Sequence, residues 1–302
     1  MSSGWDYVNS EREKFDSISA SRLLVYMLCP RKFFYSHIMN WAPDMPNNHL
    51  VFGTCWHAGL ESLYKSDWTD EDVENAKIEF YDNYRDIFDE STDLQYDPKT
   101  PDNGMLGLEM YAKKYEKDFD QYNVLDIEAL DHIQLSDTCT LNYKCDLVLE
   151  DKKSGRIVGV DFKTSSRFTR NWGEEYTMST QMLAYLYALQ QKYPDREVQM
   201  LVRAVFFRKR KPIEFSEQVV KKTPERVQSW LNNTLEIKDR IDKDVANLDL
   251  TSPDHATMSA FPIHDNACFN YGRQCQFFTQ CNSWSNPLAK AGQPPPGLRV
   301  VY

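Results

Sequence analysis

An aspartate and a lysine two positions apart, Asp161 and Lys163, have the spacing that most directly suggests chemistry. The surrounding residues favour a β-strand, and side chains two apart in a strand point to the same face. Asp146 lies upstream, where a hairpin would place it beside Asp161. Two carboxylates can hold Mg²⁺, and Lys163 could contact the attacking water or a scissile phosphate. These groups suit metal-dependent hydrolysis of a phosphodiester, although an isolated D-x-K is in most cases a surface salt bridge on a half-exposed strand.

Two pairs of polar residues at helical spacing accompany these strands. Gln181 and Tyr185 are four apart, as are His57 and Glu61, so each pair lies on one face of a helix. The polar ends of Gln181 and Tyr185 could reach the same site, and His57 could add a nitrogen ligand to the metal. Taken alone, each pair is more often an ordinary polar pair on the surface or in the core.

The order of these motifs resembles the PD-(D/E)xK nuclease superfamily, and within it the RecB-like branch that includes the AddB nuclease domain and the CRISPR-adaptation nucleases. That branch has an entry helix ending in Cys-Pro, a histidine helix, a G-x-x-D hairpin, a D-x-K strand and a Q-x-x-x-Y helix. The matching residues are Cys29-Pro30, His57, Asp146, Asp161 with Lys163, and Gln181 with Tyr185. Tyr143 stands where the family usually has glycine. Glu128, in the strand before the hairpin, is a supporting candidate because relatives often carry an acidic residue there.

The resemblance covers about residues 17–283 and implies a role for each matched residue. The implied roles are metal binding by His57, Asp146 and Asp161, assistance to the nucleophilic water by Lys163, and support of the site by Gln181 and Tyr185. The implied metal is Mg²⁺ or Mn²⁺.

The cysteines form a second constellation. Seven cysteines in a chain whose first residues are too polar for an export signal favour a metal or cluster site over a disulfide framework. Four thiolates can bind a 4Fe-4S cluster or Zn²⁺, and buried thiols without metal are a further alternative. The resemblance implies a cluster that joins the two chain ends, with Zn²⁺ as the alternative, although relatives more often have C-x₂-C-x₅-C than the C-x₆-C-x₅-C found here. The implied ligands are Cys29, Cys268, Cys275 and Cys281.

The charge of the chain limits how it could bind nucleic acid. A formal net charge of -10 argues against a protein that coats nucleic acid non-specifically, so any contact must use a local basic groove. Basic residues cluster on one predicted strand and its turn, and one more follows the D-x-K motif. The candidates are Arg203, Arg208, Lys209, Arg210, Lys211 and Arg167. A solvated hairpin turn is the alternative for this cluster.

Changes in hydrophobic period divide the chain into elements. The predicted helices cover about residues 19–29, 54–64, 179–193 and 224–244, and the predicted strands cover 124–135, 138–149, 156–162, 198–207 and 213–220. The predicted organisation is a flexible leader at 1–16, a single nuclease domain at 17–285, and a Pro-rich, extended or disordered tail at 286–302. Within the domain we expect a helical insertion at 66–122 and a cysteine region at 268–281.

These observations predict an α/β fold of the restriction-endonuclease type, with a central mixed sheet flanked by helices. The expected function is that of a Mg²⁺- or Mn²⁺-dependent deoxyribonuclease, most consistent with an exonuclease acting on DNA ends or single strands in recombination, repair or phage replication. Because the chain has no phosphate-binding loop, a separate helicase or recombination protein would have to supply ATP-driven unwinding. The alternatives are a catalytically silent nucleic-acid-binding or assembly subunit and a Zn-bound interaction protein. We expect a cytoplasmic protein without a membrane span.

Overall fold

The computed structural model describes residues 17–270, 272–291 and 293–301, so the predicted leader at 1–16 lies outside the described residues. Contacts divide the chain into two compact units. The first, which we call the sheet unit, contains residues 46–131 and 143–227. The second, the cysteine unit, contains the described residues of 17–45, 132–142 and 228–301. The prediction of one domain over residues 17–285 stays a prediction.

The elements follow the predicted alternation of helices and strands. The helices are α1 (Ala20–Leu28), α2 (Pro30–Phe33), α3 (Asn48–Tyr64), α4 (Asp70–Arg85), α5 (Asp93–Tyr96), α6 (Pro101–Lys114), α7 (Asp118–Gln121), α8 (Glu174–Thr177), α9 (Thr180–Lys192), α10 (Pro224–Asp249) and α11 (Phe278–Ser283). The strands are β1 (Ser17–Ile18), β2 (Trp41–Pro43), β3 (Tyr122–Ser136), β4 (Cys139–Asp151), β5 (Ile157–Ser165), β6 (Val198–Phe206), β7 (Glu214–Val220), β8 (Phe269–Asn270), β9 (Arg273–Gln274) and β10 (Leu298–Val300). Among the described helices, none is long and apolar enough to cross a membrane.

A mixed sheet forms the centre of the sheet unit. Its strands follow the order β4-β5-β6-β7, and β3 pairs with β4. The β4–β5 and β6–β7 pairs are antiparallel, whereas β5 and β6 run parallel. A parallel pair requires a crossover connection, and α9 lies in that connection. Strand β6 is buried at every position, as expected for a strand with both faces covered.

Helices α3 to α7 pack an aromatic core against the sheet. Asn47 caps α3 by accepting a hydrogen bond from the backbone N–H of His49, which starts that helix earlier than its apolar pattern predicts. Thr69 and Asp72 form a capping box at the start of α4. The predicted helical insertion therefore consists of α4 to α7. The largest fully buried core side chains of this unit are Trp56, Tyr84, Tyr111, Phe52, Phe80, Phe206 and Phe207.

The cysteine unit is built from both ends of the described chain. Ser19 caps α1 as predicted, accepting a hydrogen bond from the backbone N–H of Arg22. Phe33 and Phe34 pack against Phe261 in a common core. Within the predicted Pro-rich tail, β10 pairs antiparallel with β2. This part of the tail is therefore extended and paired.

Candidate active site

The β4–β5 hairpin brings the two predicted aspartates together. Leu147 pairs with Val160 in the antiparallel ladder, so the next residues outward, Asp146 and Asp161, face each other where the pairing ends. Asp146 Oδ2 accepts a hydrogen bond from the backbone N–H of Phe162 at 2.6 Å, which fixes this carboxylate against β5. Asp146 is 8% exposed and Asp161 is 1% exposed. The hairpin therefore concentrates two carboxylates in a place from which water is largely removed.

Lys163 provides a cation beside these carboxylates. Its Nζ lies 2.7 Å from Asp161 Oδ2 and donates to Gln181 Oε1 at 3.2 Å. Gln181 Nε2 in turn donates to the hydroxyl of Tyr185 at 2.9 Å. Burial raises the pKa of Asp161 to about 6, opposed by Lys163 and supported by the neighbouring charge of Asp146. The structure thus brings the D-x-K strand and the Q-x-x-x-Y helix together, as their spacing indicates.

His57, on α3, faces the same carboxylates. Its Nε2 lies 3.1 Å from the backbone carbonyl of Phe162, which can only accept, so we assign the proton of the neutral ring to Nε2. Nδ1 then presents a lone pair to Asp146 Oδ1, 3.3 Å away. Two acceptors at this distance need a cation or a proton between them. Burial acts to lower the pKa of His57, but the hydrogen bond and charge of Asp146, together with Asp161, raise it overall.

Glu128 completes a group of three possible metal ligands. One ligand atom from each of His57, Glu128 and Asp146 lies within 4.8 Å of the others. Glu128 has a φ of 54°, a left-handed conformation that is uncommon for a residue with a side chain and often marks functional positions. Oxygen ligands with an imidazole nitrogen suit a divalent cation such as Mn²⁺ or Mg²⁺. Asp161, the third ligand implied by the resemblance, lies outside this closest group and faces Lys163 instead.

A family model and a solved structure are similar to this chain. The family model described as the PD-(D/E)XK nuclease superfamily matches residues 17–282. The chain belongs to the PD-(D/E)XK nuclease superfamily. A solved structure from Eubacterium rectale, of a protein provisionally named an exonuclease, is similar with a TM-score of 0.48 and 14% identity, covering 80% of this chain and 84% of that chain. A search of the curated proteins found no significant match.

Membership of this nuclease superfamily confirms the predicted fold class. The central mixed sheet flanked by helices is the core that the family shares. PD-(D/E)XK nucleases generally use Mg²⁺ or Mn²⁺, and the group of His57, Glu128 and Asp146 has the donor atoms for such an ion. The finer resemblance to the RecB-like branch stays a prediction.

The four cysteines that the resemblance implies as cluster ligands line one pocket of the cysteine unit. Cys29 lies between α1 and α2, and Cys281 lies on α11. Cys268 and Cys275 flank the β8–β9 hairpin, where the backbone N–H of Cys275 donates to the carbonyl of Cys268 at 2.8 Å. Burial raises the pKa of the Cys281 thiol to about 12; Arg31 opposes this, and the three other cysteines add to it. The four thiols therefore face a common space.

Arg203, a predicted nucleic-acid contact, is buried instead. The residue is 4% exposed and lies on β6. Its guanidinium donates to Asp118 at 2.5 and 3.0 Å and to Glu217 at 2.8 Å. Because both faces of β6 are covered, this side chain cannot reach a phosphate. The structure corrects the prediction, which was based on sequence clustering and had no information about which strand is central.

The remaining basic candidates are nearer the surface. Arg208 forms an ion pair with Glu214 at 2.5 Å, and Lys209 lies 3.6 Å from Asp97. The exposed members are Arg167, Lys209, Arg210 and Lys211. Their contact with nucleic acid stays a prediction.

Lys144 belongs to the site although its position in the sequence did not single it out. Its ammonium forms an ion pair with the carboxylate of Glu128. Lys144 and Asp146 are two apart on β4, so alternation along the strand could have placed both on the face of the metal group. Its partner Glu128 has a left-handed backbone, for which no local sequence signal exists.

Proposed function

We propose that this PD-(D/E)XK nuclease is a Mg²⁺- or Mn²⁺-dependent deoxyribonuclease that acts as an exonuclease on DNA ends or single strands. One observation carries the proposal: the Asp161–Lys163 ion pair lies beside the ligand group of His57, Glu128 and Asp146. That group offers donor atoms for a divalent cation. Lys163 supplies a positive charge that is not needed to hold the metal.

The chemistry follows from what each group can donate or accept. A divalent cation held by His57, Glu128 and Asp146 would polarise a phosphoryl oxygen and lower the pKa of water. Of the Asp161–Lys163 pair, the lysine faces outward, since its side chain is 28% exposed against 2% for the aspartate. Lys163 can therefore orient the attacking water or donate to a phosphate oxygen whose charge increases in the transition state.

Gln181 and Tyr185 act as positioning residues for Lys163. Gln181 Oε1 accepts from the ammonium, and its amide is fixed by the Tyr185 hydroxyl. An ammonium on a four-carbon chain is otherwise mobile, so this arrangement keeps it near one position. Holding a reacting group in place removes part of the entropic barrier to the reaction.

The proposal extends to a structural 4Fe-4S cluster in the cysteine unit. Its support is the pocket lined by Cys29, Cys268, Cys275 and Cys281. The sulfurs of a tetrahedral zinc site lie about 3.8 Å apart, because the Zn–S distance is about 2.3 Å. Zn²⁺ is the alternative for the same four thiolates, since it also binds four sulfur ligands in a tetrahedron. Iron and acid-labile sulfide in the anaerobically purified protein would support the cluster, and zinc alone would contradict it.

The test is cleavage of end-labelled single- and double-stranded linear DNA with Mg²⁺, Mn²⁺ or a chelator. We expect metal-dependent shortening from the labelled end, and we expect Asp161→Ala and Lys163→Ala to lower the rate by about 10²–10⁴-fold. Lys77→Ala is the matched control, since Lys77 pairs with Glu74 in the helical insertion. A metal-independent Asp161→Ala enzyme would contradict the mechanism. DNA binding by the wild type without any cleavage would favour the silent-subunit alternative, which would need a catalytic or helicase partner.

A further inference from the structure

A second lysine is buried beside strand β5. Lys99, in the turn between α5 and α6, is 3% exposed, and its ammonium donates to the hydroxyl of Thr164 at 2.9 Å. The backbone carbonyl of Lys99 accepts from Asn48 Nδ2 at 3.3 Å and from the hydroxyl of Tyr84 at 3.2 Å. Lys99 is therefore held at its backbone and at its ammonium, with the charge directed at the end of β5.

The charge of Lys99 has no acidic partner in the part of the chain that the structure describes. Its ammonium lies 5.3 Å from the centre of the Phe52 ring, and burial lowers the pKa of Lys99 to about 8. Burying a cation without a counter-ion opposes folding. Residues that oppose folding in this way are typically kept for a function.

The Thr164 hydroxyl stands between Lys99 and open space. Because its oxygen accepts from Lys99, its own proton can be donated elsewhere, and the described contacts give that proton no acceptor. Outside the backbone of its own helix and its two chain neighbours, the described atom that a β-carbon at Gly53 of α3 would meet within 4 Å is Thr164 Oγ1, at 3.8 Å. Gly53 shares a helix face with His57. Thr164 lies on β5, and its side chain points to the face opposite that of Asp161 and Lys163, toward α3. A free donor and a space for its acceptor thus lie next to the candidate active site.

We propose that Thr164, with Lys99 behind it, binds a substrate phosphate adjacent to the scissile one. This inference rests on the proposed nuclease function. Thr164 donates its hydroxyl proton to a phosphate oxygen while Lys99 donates to the hydroxyl, so the cation strengthens the hydrogen bond to the anion. The missing side chain at Gly53 leaves room for the sugar-phosphate chain. Contacts of this kind fix the register of a nucleic acid without reading its sequence.

Thr164→Val tests the donor with little change in volume. We expect KM for a single-stranded substrate to rise about tenfold, with kcat changed less than about threefold, because one polarised hydrogen bond to the bound chain is lost. Thr164→Ser keeps the hydroxyl and should restore KM to within about threefold of the wild type. If the hydroxyl only stabilises the strand, Thr164→Val will lower the melting temperature and leave KM unchanged.

Lys99→Met tests the charge. We expect KM to rise to a similar extent and the slope of log KM against log salt to fall by about one, while the melting temperature does not decrease. Lys77→Met removes one charge from the same helical region and should leave the salt slope unchanged. The double variant with Thr164→Val should bind no more weakly than Thr164→Val alone, since both residues act on one phosphate.

Gly53→Ala tests the space. Alanine is the better helix former, and the added methyl makes only an ordinary contact, so the melting temperature should rise. If a phosphate group occupies this space, KM rises as well. Opposite effects on stability and binding cannot come from a damaged fold.

Equilibrium binding of a labelled single strand in chelator separates this inference from the nuclease proposal. If the wild type binds the single strand but does not cleave it with Mg²⁺ or Mn²⁺, the nuclease proposal is wrong. A higher Kd for Thr164→Val would still support the phosphate site in that case. If both Thr164→Val and Lys99→Met keep the wild-type Kd and its wild-type dependence on salt, the phosphate site is wrong, whether or not the protein cleaves DNA.

Discussion

Replacing Asp118 with asparagine should destabilise the sheet unit severely, although Asp118 lies outside the candidate active site. Arg203 and Asp118 form a buried, two-pronged ion pair, with side chains 4% and 9% exposed. Tyr64 donates to Asp118 Oδ2 at 2.6 Å, and Tyr64 and Tyr111 accept from Arg203 at 2.8 and 3.1 Å. This network supplies hydrogen-bond partners for the polar groups that folding removes from water.

The size of the effect follows from the charge that remains. In Asp118→Asn, the carboxylate left to Arg203 among the described residues is that of Glu217, whose side chain is 42% exposed. Breaking a buried ion pair by removing one partner costs about 3–5 kcal/mol. Asparagine keeps one acceptor oxygen, so we expect about 3 kcal/mol, the lower end of that range. For a unit of this size the melting temperature should fall by roughly 6–12 °C.

Urea unfolding followed by circular dichroism measures this change. Asp118→Asn should lower the midpoint at an unchanged slope. Glu74→Gln, which removes one partner of an exposed pair with Lys77, is the control and should leave the midpoint almost unchanged. The double variant Arg203→Met with Asp118→Leu should recover most of the lost stability, because no uncompensated charge remains.

Two results would refute this reasoning. A loss below about 1 kcal/mol in Asp118→Asn would mean that the pair is far better hydrated than its burial indicates. An Arg203→Met variant that melts like the wild type but binds DNA more weakly would show that Arg203 contacts nucleic acid after all.

Two further predictions concern the cysteine unit. Cys275→Ser should lower iron content and melting temperature together, and a variant with normal iron and unchanged melting would contradict the cluster. Burial, with the charge of Arg22, lowers the pKa of His37 from 6.5 to about 4. Between these two pH values the unfolded chain takes up a proton at His37 and the folded protein does not. The stability that the neutral His37 contributes is therefore present above pH 6.5 and is lost as the pH falls toward 4. His37→Leu should therefore lose less stability than the wild type between pH 7 and pH 5 in urea unfolding, and an equal loss in both proteins would contradict this assignment.

The parts of the site that depend on short-range rules could be predicted from the sequence. Alternation along β5 places Asp161 and Lys163 on one face, and a hairpin brings Asp146 to them. Helical spacing joins Gln181 to Tyr185. In each case the partners are either close in sequence or connected by regular pairing, so residue spacing alone limits where they can lie.

Contacts set by packing could not be predicted in this way. The basic character of Arg203 indicates a surface residue, but β6 is buried on both faces and Asp118 supplies the counter-charge from a helix in the insertion. Glu128 lies beside His57 and has a left-handed backbone, and no residue type in its neighbourhood requires that conformation. Both cases depend on which segments cover the sheet, which spacing does not determine.

The two lysines at the end of β5 show why burial and pairing must be considered together. Lys163 is 28% exposed and paired with Asp161, so its charge is already balanced before a substrate arrives. Lys99 is 3% exposed with no carboxylate partner among the described residues, so its charge is balanced only when an anion arrives. A phosphate bound at Thr164 would balance the buried charge of Lys99. Lys99 would then increase the affinity for substrate while lowering the stability of the free protein. If so, DNA should stabilise the wild type against heat more than it stabilises Lys99→Met, a difference that thermal melting with and without a single strand in chelator would measure.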